Sequence, residues 1–382
     1  MSFFNLQPQS IHRLSLLLLG VALSAASLTA QDSKQKQKPD RNEERLRRHL
    51  QQNPKSDLNG DGKLTLDERR KFLQSQNRAK SQSRNQNATG TQNANRRRPK
   101  PTHADVRYGD HERHVFDLYL AKSEKPTPLV IYIHGGGFRG GSKNGVSAGL
   151  IERCHKAGFS VASLNYRLTD SAPFPAPMHD CARAVQTLRH NATKWNLDPT
   201  RFGATGGSAG AGISLWLAFH EDLANLESSD PIAGQSTRLS ATAVSGAQIA
   251  YDPRWIKKHI GGRAGEHTAL IPFFAIKPGE ENSPRTDALY KESSPINFLT
   301  KDDPPVWMIY REAKEDLPAN ARPGQGIHHP KFGLFLKKEM SKLGLECTVK
   351  HVTDLSESKV NVWPREIMDE EIAKFFVKHL KE

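Results

Sequence analysis

From residue 128 onward, short continuous apolar runs alternate with longer amphipathic stretches. Pro128–Ile133 and Phe159–Asn165 are apolar, partly β-branched runs of strand length, the pattern of buried parallel strands. Met178–Asn191 places Ala182, Val185 and Leu188 on one side of a predicted helix. Arg201–Thr205 predicts the end of a strand, and Ala211–His220 a buried helix carrying Ile213, Leu215, Trp216 and Leu217. Ala241–Val244 predicts another strand. Residues 246–300 are interrupted by Pro and Gly but hold Trp255, Phe273 and Phe274. An insertion of that length predicts a cap or a functional loop. Pro305–Tyr310 and Glu346–Val352 predict the last two strands, and Glu366–Leu380 the closing helix. Strands and helices in alternation place this part of the chain in the α/β class.

The first hundred residues follow other rules. Arg13, the apolar stretches Leu14–Leu19 and Val21–Leu23, and the small residues Ser24–Ser27 and Ala30 stand in the order of a secretory signal peptide. Cleavage is expected between Ala26 and Ala30, giving a periplasmic or secreted protein; an uncleaved anchor is the alternative. Leu46 and Leu50, four residues apart, predict one helix ended by Asn53-Pro54. Residues 75–102 are rich in Gln, Asn, Ser and Arg and nearly free of apolar side chains, so they cannot offset the entropy of ordering. The expected organisation is a signal peptide over 1–30, a small helical segment over 31–79, a disordered basic linker over 80–102 and an α/β domain over 103–382.

The net charge of +14 suggests a nucleic-acid binder until it is located. Residues 31–102 carry 19 Lys/Arg against 8 Asp/Glu, whereas 103–382 carry 35 against 33. The excess belongs to the N-terminal region, where it suits contact with an anionic envelope surface. No nucleic acid is expected as partner. Cys154, Cys181 and Cys347 show neither a disulfide framework nor zinc-ligand spacing; they read as buried small hydrophobes, with one disulfide plus a free thiol as the alternative.

Two motifs carry chemistry in the α/β part. Gly206-Gly207-Ser208-Ala209-Gly210 sits at a predicted strand-to-helix turn, the G-x-S-x-G nucleophile elbow. Its glycines let strand and helix nearly touch, and the Ala209 N–H can face a developing oxyanion. The apolar run ending at Ile133 leads into His134-Gly135-Gly136-Gly137-Phe138, where the N–H groups of Gly135 and Gly136 can supply the rest of an oxyanion hole. With Tyr108-Gly109, Asp117-Leu118-Tyr119, Asn165-Tyr166-Arg167-Leu168 and Phe174-Pro175-Ala176 followed by Asp180, residues 103–382 resemble the α/β-hydrolase superfamily, in its hormone-sensitive-lipase-like esterase/lipase branch. That resemblance implies a mostly parallel sheet with helices on both faces, a serine nucleophile and carboxylic ester substrates. It implies no organic cofactor. A small acyl group or a polysaccharide ester is the expected substrate by analogy.

The N-terminal segment carries a third motif. Asp57, Asn59 and Asp61 stand at positions 1, 3 and 5 of a twelve-residue EF-hand calcium loop, with Gly62 at the sharp turn. Lys63 would give its carbonyl at position 7, Thr65 acts at 9 and Glu68 closes the loop at 12. Hard oxygen ligands in this order suit Ca²⁺. Pro54 interrupts the entering helix, and no second loop follows to pair with it.

The superfamily resemblance also implies an acid and a histidine after the serine. Glu312, Glu315 and Asp316 follow the strand Pro305–Tyr310, and Asp316 is the first choice; Lys314 occupies the place where the family pattern sets an Asp. The histidine belongs between the last strand and the closing helix, but Thr353–Trp363 contains none. His351, at the strand end, is the first candidate, with His328 and His329 as alternatives. Without an imidazole to take its proton, Ser208 is a poor nucleophile. Two readings follow: a secreted serine esterase with a calcium-binding N-terminal EF-hand, or a catalytically impaired hydrolase fold used for binding.

Overall fold

A computed structural model describes residues 41–65, 67–69, 72, 98–355 and 365–381. The predicted signal peptide and most of the predicted linker, all but 98–102, lie outside these residues. The chain divides into two units, Met1–Ala94 and Asn95–Glu382. Among the described residues no helix is long and apolar enough to cross a membrane.

In the first unit a helix spans Arg41–Gln52, and Pro54–Ser56 form a single 3₁₀ turn. The helix stops where Pro54 removes an N–H from the ladder. Leu64 and Phe72 are buried, with the His49 ring edge-on to Phe72 at 6.2 Å.

The second unit is built on one sheet of eight strands: β1 (His103–Arg107), β2 (Val115–Tyr119), β3 (Thr127–Ile133), β4 (Ser160–Leu164), β5 (Leu197–Gly207), β6 (Ala241–Ser245), β7 (Val306–Tyr310) and β8 (Cys347–His351). Their spatial order is β1-β2-β4-β3-β5-β6-β7-β8. The pairs β1/β2 and β2/β4 are antiparallel, and every other pair is parallel. Parallel strands must be covered on both faces, which is why β4, β6 and β7, each with a parallel neighbour, are buried at every position. One face packs against the helices Ala148–Lys156 and Arg365–Leu380 through Ile151, Ile372 and Phe376. The other packs against Ala176–His190 and Ala209–Phe219 through Met178, Leu188, Ile213 and Trp216. All three cysteines are free and buried.

The strands predicted around 128–133, 159–165, 241–244, 305–310 and 346–352 correspond to β3, β4, β6, β7 and β8. The predicted short strand at Arg201–Thr205 is the last part of β5, which is eleven residues long. The antiparallel pair β1/β2 and the helices Ala148–Lys156 and Lys331–Lys342 were not foreseen.

Candidate active site

β5 lies near the middle of the sheet and ends at Gly207, so Ser208 stands at the carboxyl end of a central strand. Its backbone takes φ 53° and ψ −119°, a conformation that L-residues rarely adopt, and the helix Ala209–Phe219 begins at the next residue. The turn is held from β6, whose Ser245 carbonyl accepts from the Ser208 N–H at 2.9 Å. Close approach explains the first motif glycine. A Cβ on Gly206 would come within 2.5 Å of the Ile133 carbonyl and 2.7 Å of the Gly210 carbonyl carbon.

His328 meets the serine. Its Nε2 lies 2.8 Å from Ser208 Oγ, and its Nδ1 lies 3.6 Å from a Glu312 carboxylate oxygen. Glu312 sits two residues beyond β7, and His328 ends a turn that follows the short helix Pro323–Gly326. The buried Gln248 amide donates to the Ile327 carbonyl at 2.7 Å and to the Gly246 carbonyl at 3.0 Å, fixing the backbone next to His328. Burial alone would raise the Glu312 carboxyl; His328, a backbone N–H and Arg311 hold it below its ordinary value of 4.5. It is therefore ionised at neutral pH and faces the imidazole as an anion.

The serine, histidine and Glu312 line a cleft of about 310 Å³, with Gly207, Ser245, Gly246 and Arg311. The oxyanion loop abuts the serine, since a Cβ on Gly135 would lie 3.5 Å from Ser208 Cβ. Ala209 starts the helix behind it. The 246–300 insertion reaches the same loop: Phe273 stacks on Phe138 at 4.0 Å, and a Cβ on Gly137 would lie 3.2 Å from Ala269 Cβ.

The structure sets His328 beside Ser208 and Glu312 beside His328, where the first choices for base and acid were His351 and Asp316. Asp316 is exposed and pairs with Lys331 Nζ at 2.8 Å. His351 is buried at the end of β8, with Nδ1 2.8 Å from Thr353 Oγ1 and Nε2 3.1 Å from the Glu312 carbonyl. Both its nitrogens are engaged away from the serine. His329 is turned inward, donating from Nε2 to the Glu315 carbonyl at 2.9 Å and accepting at Nδ1 from the Lys331 N–H. Lys314 pairs with Asp354.

In the N-terminal unit the Asp57 carboxylate accepts from the Gly60 and Gly62 N–H groups at 2.7 and 2.8 Å. Asn59 and Asp61 hydrogen-bond each other, and the Lys63 N–H donates to Asp61. Glu68 Oε2 accepts from both the Thr65 N–H and hydroxyl, which keeps its pKa below the usual range. Gly60 and Gly62 both have positive φ, as the tight turns require. Oxygen donors of the right kind therefore line the loop. Among the described residues, however, no three His, Cys, Asp or Glu side chains are gathered closely enough to form a ready metal cluster.

The fold is shared widely. A truncated carbohydrate esterase from gut microbiota matches with a TM-score of 0.55 at 23% identity, over 73% of this chain and 96% of that one. The acetyl ester-xyloside bifunctional hydrolase of Caldicellulosiruptor lactoaceticus matches with a TM-score of 0.54 at 19% identity, over 69% and 87%. At these identities the likeness shows the fold, an α/β-hydrolase fold. Esterase LipQ of Mycobacterium tuberculosis (strain ATCC 25618 / H37Rv) is 26% identical over 56% of this chain and 50% of its own. Versiconal hemiacetal acetate esterase of Dothistroma septosporum (strain NZE10 / CBS 128990) is 31% identical over 31% and 37%. The chain spans half the length, or less, of these curated relatives. The BD-FAE family model matches residues 116–321, more than half of the chain and inclusive of the elbow, the oxyanion loop and Glu312, and the chain belongs to the BD-FAE family.

Proposed function

We propose that the chain hydrolyses carboxylic esters through a Ser208–His328–Glu312 relay. The observation that carries this reading is the 2.8 Å contact between Ser208 Oγ and His328 Nε2, the pairing a serine needs to become a nucleophile. His328 takes the serine proton as Oγ bonds to the ester carbonyl carbon. The imidazolium so formed faces the Glu312 carboxylate. The N–H groups of Gly135, Gly136 and Ala209 receive the oxyanion. Collapse returns the proton to the departing alcohol and leaves an acyl-serine, which water cleaves by the same route. The paired imidazole favours this reading over the binding-only one. Similarity to esterases supports it, and the likeness to a carbohydrate esterase and to an acetyl ester-xyloside hydrolase makes a sugar-linked ester the preferred substrate class.

A fluorophosphonate probe is expected to label Ser208. Both Ser208→Ala and His328→Ala should lose roughly 10⁴-fold or more in aryl-ester hydrolysis. His351→Ala should lose far less. An unlabelled Ser208 together with an inactive wild type gives the binding-only reading.

The reading extends to the N-terminal region. We propose that Asp57, Asn59, Asp61, the Lys63 carbonyl, Thr65 and Glu68 bind Ca²⁺ away from the chemistry, once Asp57 and Glu68 trade their internal hydrogen bonds for the ion. Dissociation constants of roughly 10⁻⁴–10⁻³ M are expected, as for extracellular modules. Calorimetry with millimolar Ca²⁺ should give heat that Glu68→Gln removes. Export follows from residues 1–30, and contact of the basic region with anionic envelope surfaces from its charge. A mature N-terminus near residues 27–31 is the expected result of sequencing the exported protein.

A further inference from the structure

Arg113 lies between β1 and β2, just ahead of the segment that the family model covers. Its Nε donates to the Tyr166 carbonyl at 2.7 Å. Its Nη2 donates to the Gly141 carbonyl at 2.9 Å and lies 3.2 Å from His134 Nε2. His134 opens the oxyanion loop. It is buried, stacked on the Tyr166 ring at 4.2 Å, and its carbonyl accepts from the Tyr166 hydroxyl at 2.9 Å. Burial, with Arg113 beside it and a Gly135 hydrogen bond in opposition, pushes its pKa down to about 4, so the ring is neutral at neutral pH.

A neutral imidazole carries its proton on one nitrogen or the other. A guanidinium has five donors and no acceptor, so the nitrogen facing Arg113 must be the lone-pair nitrogen. The proton is therefore on Nδ1. That nitrogen lies 2.8 Å from the Gly135 carbonyl and donates to it. In the other tautomer two lone pairs would face each other across the same gap, and the carbonyl would turn away.

The direction of that carbonyl matters for the residue that follows. Among the described residues the cis peptide bond is Phe174-Pro175, so Gly135–Gly136 is trans. A trans peptide sets its N–H opposite its C=O. A carbonyl pinned on His134 thus aims the Gly136 N–H away from it. That N–H has no backbone or side-chain acceptor among the described residues. Gly141 closes the back of the arrangement, since a Cβ there would lie 2.5 Å from both the Gly135 carbonyl oxygen and His134 Nδ1.

We propose that Arg113 is a positioning residue for the oxyanion hole: it selects the His134 tautomer that holds the Gly135 carbonyl and so orients the Gly136 N–H. This rests on the ester-hydrolysis reading above. The role differs from general support of the loop, because it acts through the proton on one nitrogen.

The test uses the full chain and an aryl acetate. Arg113→Ala should lower kcat by about 10- to 100-fold with KM nearly unchanged, less than the roughly 10²–10³ lost when an oxyanion donor is removed outright. His134→Asn supplies an amide N–H near the position of Nδ1 and has no tautomer to select. Adding Arg113→Ala to His134→Asn should then cost less than about twofold further. Inhibition by an arylboronic acid, which forms a tetrahedral anion on Ser208, should weaken in Arg113→Ala by the same factor as kcat. Circular dichroism and Tm confirm that each variant is folded.

Equal losses from Arg113→Ala in both backgrounds, a loss confined to KM, or unchanged boronate affinity would each overturn the proposal. If His134→Asn does not fold, the boronate comparison decides alone. Wild-type turnover abolished in Ser208→Ala keeps the hydrolase reading in force whatever Arg113 does, whereas an inactive wild type removes both.

Discussion

Replacing Glu312 by Gln keeps the shape of the side chain and removes its charge, so it isolates what the carboxylate does for His328. The oxygen lies 3.6 Å from Nδ1, beyond ordinary hydrogen-bond length, so the contact is chiefly electrostatic. Little of it appears while the imidazole is neutral, and it develops fully when His328 accepts the serine proton. Two unit charges at this distance attract by about 1 kcal/mol in bulk water and about 4–5 kcal/mol at an effective dielectric near 20. The side chains are 18% and 29% exposed for Glu312 and His328, which places the pair between these limits and nearer the second. At about 1.4 kcal/mol per tenfold, kcat should fall roughly 10²- to 10³-fold, with KM changed by less than about threefold. Initial rates of aryl acetate hydrolysis over a range of substrate concentration separate the two parameters, and Asp316→Asn serves as comparison. A loss under about fivefold in Glu312→Gln, or an equal loss in Asp316→Asn, refutes the assignment.

Two further outcomes follow from other contacts. Gly206→Ala forces a Cβ against the backbone at Ile133 and Gly210, so it should cost at least about 2 kcal/mol in urea unfolding or abolish the folded yield; an unchanged midpoint counts against the close approach. The depressed Glu312 carboxyl contributes stability that is complete above its ordinary value of 4.5 and is lost as pH falls through its lower folded value. Below pH 4.5 the stability gap between wild type and Glu312→Gln should therefore close as the pH falls further, and a gap that widens within that window refutes the sign.

Most strands were legible because a parallel sheet demands continuous apolar runs, and β3, β4, β6 and β7 supply them. β1 was not, since His103–Arg107 is mostly exposed and carries no buried-strand pattern. Ser208 and the Gly135–Gly136 loop were legible for a different reason: their glycines answer a local steric demand that leaves a mark in the sequence. The partners that we propose for the serine answer a tertiary demand, and nothing local separates Glu312 from Glu315 and Asp316, or His328 from His329. The one available signal was distance from the strand. Glu312 lies two residues past β7, whereas Asp316 lies far enough along to reach solvent and Lys331. His351 misled because a histidine at a strand end looks available. Its ring is occupied by Thr353 and by a carbonyl of Glu312 itself.

Glu312 and His328 both belong to the connection between β7 and the helix Lys331–Lys342, while Ser208 belongs to the sheet. The proposed acid and base are thus passengers on one loop. A displacement of that loop carries the two together and leaves their mutual spacing intact, and the serine contact is the one that breaks. Damage to this segment should then part Ser208 from both groups at once, with Glu312 and His328 still side by side and the serine still on its elbow.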